Sequence, residues 1–147
     1  MSIKKQISAA AAKLGLISIK GLVQMSGVLP KGVSSASEDV VGFYYIMQDE
    51  NGNCHSFYAA NPPLIGMTEP VPAPHPLGIQ VFDDYKIDYK QAIAIFHTGN
   101  WGSDFCAITL SKPLVHPEAK EPYWYIRSTL QVDVIIGADS GVVYGPK

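Results

Sequence analysis

The chain has 147 residues, 47% hydrophobic and 16% charged, so it can bury a core and is not a disordered tail. A formal net charge of −2 and a pI near 6.0 lack the basic excess of a dedicated nucleic-acid binder, and nucleic acid is not expected as a partner. The charge is uneven: residues 1–31 carry five lysines and no acid, a segment of +5 on a remainder of −7.

In residues 3–17, Ile3, Ile7, Ala10, Ala11 and Leu14 share one helical face, while Lys4, Lys5, Ser8 and Lys13 fall elsewhere. Ser2 stands where a cap is needed. Gly15, Gly21 and Gly27 make an extension of this helix to Met25 doubtful. The expectation is a surface helix with solvated lysines, and membrane contact through residues 1–25 is the less favoured alternative. Lys13 interrupts the apolar stretch Ala9–Ala12, which argues against a secretory signal. No run of 18 apolar residues occurs. Two cysteines, Cys54 and Cys106, are too few for a disulfide framework and read as buried free thiols. A cytoplasmic location is expected.

Pro30 to Ser37 reads as loop. Val40 to Gln48 is an apolar and aromatic strand, Asp49 to Asn53 a tight turn, and Cys54 to Ala60 the returning strand. Residues 61–76 hold six of the eleven prolines, alternating from Pro70 to Pro76, and predict an extended polyproline crossover. Asp88 and Gln91 have capping-box spacing, and Tyr89, Ala92, Ile93 and Phe96 form the apolar face of a helix that Gly99 and Gly102 end. Phe105 to Leu110 is a strand and Lys112 to Pro122 a loop. Tyr123 to Leu130 and Val132 to Ile136 are strands. Gly137 to Gly141 is a turn, and Val142 to Tyr144 is a closing strand.

These elements predict an α+β fold, an antiparallel sheet with helices packed on one face, as one compact domain over 1–147. They also read as two repeated helix-plus-hairpin units, 1–60 and 81–147, joined by a Pro-rich connector, 61–80.

Few residues suggest catalysis. Asp139-Ser140-Gly141 resembles the serine motif of chymotrypsin-like proteases, but no histidine sits in that family's motif and the chain is too short for two barrels. Between two apolar runs this tripeptide is turn chemistry. Cys54 abuts His55, yet neighbours on a strand face opposite ways. Cys106 has no assignable partner among His97 and His116. The histidines are scattered, Asp83-Asp84 is an isolated acidic pair, and no phosphate loop or dinucleotide fingerprint is present. No cofactor, metal or catalytic residue is expected.

The aromatics carry more information. Tyr45, Tyr123, Trp124 and Tyr125 lie in strands whose alternation sends large rings to both faces, and a sheet covered by helices on one side leaves the other for a partner.

Residues 88–144 resemble a PepSY-type domain. The resemblance rests on Tyr89-Lys90-Gln91-Ala92-Ile93 opening a helix, on Tyr123-Trp124-Tyr125-Ile126 as a strand, and on the hairpin from Val132 to Tyr144 around Asp139-Ser140-Gly141. It implies a helix followed by antiparallel strands, no catalytic residues, and a role in protein binding or peptidase inhibition. Such domains usually act outside the cytoplasm, from which this chain departs by lacking a clear signal. The expected function is a non-enzymatic protein-binding module, an inhibitor or immunity-type partner, binding another protein or itself as a homodimer. The alternative is a small apolar-ligand binding protein with a pocket between helix and sheet.

Overall fold

A computed structural model describes residues 19–114 and 121–145. The helix expected over 3–17, with Lys4, Lys5 and Lys13, lies outside the described residues, as does His116.

The described chain is predominantly β. Its strands are β1 (Ile19–Val28), β2 (Gly42–Asp49), β3 (Cys54–Ala60), β4 (Val71–Ala73), β5 (Ile79–Gln80), β6 (Phe105–Pro113), β7 (Tyr123–Ser128), β8 (Asp133–Gly137) and β9 (Val143–Gly145). Helix α1 (Tyr89–Phe96) and one 3-10 turn at Ser37–Asp39 are the helical elements among the described residues. The sheet order is β4-β3-β2-β1-β6-β7-β8-β9, with β5 paired to β6, and every pairing is antiparallel. The α+β expectation with two repeated helix-plus-hairpin units is therefore corrected, together with the α+β, PepSY-like architecture. One continuous sheet runs through both supposed halves, and only the second carries an α-helix among the described residues.

No helix extends over residues 19–25, as the glycines suggest: residues 19–28 form a central strand. Its glycines serve close approach. A Cβ on Gly21 would sit 2.5 Å from the carbonyl oxygen of Phe82, and one on Gly27 2.5 Å from the Ile108 side chain. Leu22 and Phe82 exchange both backbone hydrogen bonds, each 2.9 Å.

The hairpin of β2 and β3 forms where expected. The Asp49 carboxylate organises its turn, accepting from the backbone N–H of Asn51 (2.9 Å) and Asn53 (3.0 Å) and contacting His55 Nε2 at 3.1 Å. The His55 hydrogen bond, then those of Asn53 and Asn51, hold this carboxyl below its ordinary value against the opposing effect of burial.

The crossover expected over 61–76 is corrected in part, since Val71–Ala73 pairs with β3 as the sheet's edge. The Tyr58 N–H donates to Thr68 Oγ1 and the Ala60 N–H to Gly66 O, so even-numbered residues of β3 turn their backbones toward this arm. By alternation Ser56 and Cys54 bond Val71 and Ala73, while Pro72, opposite His55, turns its backbone outward. A proline stands where an outward N–H would otherwise be.

The core lies on one face of the sheet. Register aligns Phe57, Tyr45, Met25, Leu110, Trp124 and Ile136 across six strands, and all are buried. Helix α1 covers the β7–β8 end with Ala92, Ile93 and Phe96. Its capping box is present: the Gln91 N–H donates to Asp88 Oδ1 at 2.8 Å and the Asp88 N–H to Gln91 Oε1 at 2.9 Å. The Trp124 indole N–H donates to Ile87 O (2.7 Å), and Ala138 O accepts from the N–H groups of Lys86 and Ile87. These bonds fix where α1 begins.

Candidate protein-binding face

The face opposite α1 follows from the same register. Tyr58, Tyr44, Ser26, Thr109, Tyr125 and Ile135 stand side by side across β3, β2, β1, β6, β7 and β8. The adjacent row is Ser56, Ile46, Gln24, Ser111, Tyr123 and Gly137. Neither row contains a charge. Two residues beyond Tyr125 on β7, in the next row of this face, Arg127 and Asp133 pair at 3.0 Å on an exposed margin. Tyr44 is 56% exposed, and its ring packs on Tyr58 at 5.3 Å. At the other end, the Tyr123 ring meets Tyr125 (6.1 Å) and Tyr144 (5.0 Å). Burial pushes the Tyr125 phenol up. Such surfaces suit recognition, because tyrosine offers large contact area at small entropic cost and charges are depleted at interface centres.

The four residues expected at an interface are divided by the pleat. Tyr45 and Trp124 belong to the core, with the Tyr45 ring stacked on Phe57 at 5.0 Å. Tyr123 and Tyr125 occupy the opposite face, where Tyr123 is buried and Tyr125 half-buried. Tyr44 and Tyr58 belong to the same cluster of strand aromatics in the sequence but are not among the four residues expected at the interface, although Tyr44 lies in the same run as Tyr45 and one pleat away.

Ser140 is held in the turn. Glu121, buried at 8% exposure, accepts from the N–H groups of Asp139 and Ser140 and from the Ser140 hydroxyl, all at 2.9 Å, and from the Tyr144 hydroxyl at 2.6 Å. Burial alone would raise this carboxyl. The Tyr144 hydroxyl, then the Ser140 and Asp139 N–H groups and the Ser140 hydroxyl, outweigh it and hold the group below its ordinary value. A Cβ on Gly137 would lie 2.5 Å from Glu121 Oε1, so this glycine makes room for the carboxylate.

Both cysteines are free. Cys54 is buried, its thiol pushed up by burial and by the nearby Asp49 charge. Cys106 is exposed, correcting the expectation that both are buried. His97 bonds Ser35 O at 2.7 Å. Among the described residues no group of three or more His, Cys, Asp or Glu side chains is arranged to hold a metal. A cleft of about 580 Å³ is lined by Lys20, Lys86 and Lys112 and by Asp83, Asp84 and Asp139, charges that cancel. No helix among the described residues is long and apolar enough to cross a membrane. Compared with known proteins, the chain matches no family model, no curated protein and no solved structure.

Proposed function

We propose that this chain is a non-enzymatic protein-binding module whose sheet face opposite α1 receives a second copy of itself. The observation that carries this reading is the charge-free double row containing Tyr44, Tyr58 and Tyr125, with Tyr44 mostly exposed and the Arg127–Asp133 pair bordering the Tyr125 end. A two-fold pairing is the commonest way to cover a self-complementary patch, and the tyrosine, serine and threonine content suits an interface that also meets water. The free thiols agree with a reducing compartment, and the proposal places the protein in the cytoplasm.

Sedimentation and light scattering of the full chain test the pairing. A dimer at about 100 µM that Tyr44→Glu and Tyr125→Glu each convert to the 15.9 kDa monomer supports it. Tyr45→Glu is no substitute, because that residue is in the core and its loss acts on folding. A monomeric parent at that concentration refutes self-association. A photo-crosslinker at position 44 that then captures a single partner protein would assign the same face to a heteromeric contact.

A further inference from the structure

We propose that the recess between residues 37–41, the 61–64 turn and the first turn of α1 is a binding site for a small neutral aromatic molecule bearing one N–H or O–H donor. The recess has a volume of about 380 Å³, within the range of pockets that enclose small molecules. Val40, Val41, Pro62, Pro63, Leu64 and the Tyr89 ring make its walls. The Tyr89 ring is set by edge contact with Phe43 at 5.3 Å, so this wall is anchored to the core.

The recognition chemistry comes from Asn61, which is 93% buried (7% exposed) and lines the recess. Its backbone is fully used: its N–H donates to Val41 O at 2.8 Å, and its carbonyl accepts from the Leu64 N–H at 2.9 Å. Its side-chain Nδ2 donates to Val40 O at 2.9 Å. A carbonyl only accepts, so this bond fixes the orientation of the amide and leaves Oδ1 as an acceptor. Oδ1 makes no hydrogen bond among the described residues, nor does the Tyr89 hydroxyl. The residue is buried but solvent still reaches this oxygen, so a ligand N–H or O–H can take the place of water there. Glu38 and Lys90 stand at the mouth with opposite charges, and Lys90 Nζ lies 6.0 Å from the Tyr89 ring centre. Their charges cancel, which selects for a neutral ligand over an ion. The site is separate from the sheet face proposed for pairing, so the two readings stand or fall independently.

Indole is the probe, with 1-methylindole as its donor-less counterpart, each titrated into the full chain and followed by amide NMR. Indole should give saturable shifts at Val41, Leu64, Tyr89 and Lys90, and 1-methylindole should bind about tenfold more weakly. Changing Asn61 would release Val40 and disturb the fold, so the donor is removed from the probe instead. Val41→Trp, which fills the recess from a half-buried wall, should abolish the shifts while the spectrum stays dispersed. Tyr89→Phe should weaken indole less than loss of the probe's donor does. Equal binding of both probes, unsaturable shifts spread over the surface, or undiminished binding by a folded Val41→Trp variant would each overturn the proposal.

Discussion

Glu121 offers a direct measure of how the C-terminal turn is held. Glu121→Ala removes an acceptor serving two backbone N–H groups and two hydroxyls. The hydroxyls of Ser140 and Tyr144 can turn toward water, so the loss rests mainly on the two N–H groups. At the lower end of the range for bonds to a charged acceptor, these amount to about 3 kcal/mol. In a chain of this size that lowers Tm by roughly 9 °C. Glu121→Gln keeps the shape and one oxygen to accept both N–H groups, but it loses the charge and puts an NH2 donor where the Ser140 and Tyr144 hydroxyls donate, so those hydroxyls must turn, at about 1 kcal/mol. The parent's advantage depends on pH in a defined direction. A carboxyl held below its ordinary value of 4.5 stabilises fully above that value and loses its contribution as pH falls through the folded value. The gap between parent and Glu121→Gln should therefore close on acidification. Urea titrations at neutral and acid pH, with scanning calorimetry, provide the readout. An Ala variant melting within about 2 °C of the parent, or a parent–Gln gap that widens in acid, refutes the reasoning.

Gly141 has a φ of +75° and a Cβ there would meet Ile87 Cδ1 at 3.0 Å, so Gly141→Val should cost about 2 kcal/mol by urea denaturation, whereas Ser140→Ala should cost about 1 kcal/mol. Phe96→Ala should cost about 4 kcal/mol and expose α1 amides to hydrogen exchange ahead of the β2 amides, since Phe96 is fully buried beneath that helix. Trp124→Phe should keep the fold but lose the bond to Ile87 O, lowering stability by about 2 kcal/mol in the same assay. The Asp49 carboxyl, held low by His55, should make the β2–β3 turn less protected from exchange as pH falls below its ordinary value of 3.8.

What the sequence disclosed follows how local its causes are. The β2–β3 hairpin, the capping box of α1 and the last hairpin are written within a few neighbouring residues, and each formed. Strand β1 was obscured because Gly21 and Gly27 act as helix breakers when read alone. Their actual reason, the backbone at Phe82 and the side chain of Ile108, lies far along the chain. The alternation of Tyr44 and Tyr45, or of Trp124 and Tyr125, shows that rings point both ways, but not which way is inward. That choice is made by α1, which packs over the Trp124 side. Glu121 gave no signal, because its four donors come from residues 18 to 23 positions later. Asn61 was equally silent, sitting beside Pro62 as an ordinary loop residue while bonding Val40 across the fold.

The outward backbone of Pro72 also bears on how a partner can read this molecule. A sheet edge with free N–H groups is a promiscuous template, since any extended chain can add to it whatever its side chains. At β4 the central position has no donor to give, so a strand approaching from that side loses the bond that would set its register. Recognition is thereby shifted from main chain to side chain. A partner must match the tyrosines and hydroxyls of the face, and selectivity becomes a property of its sequence instead of its mere capacity to extend.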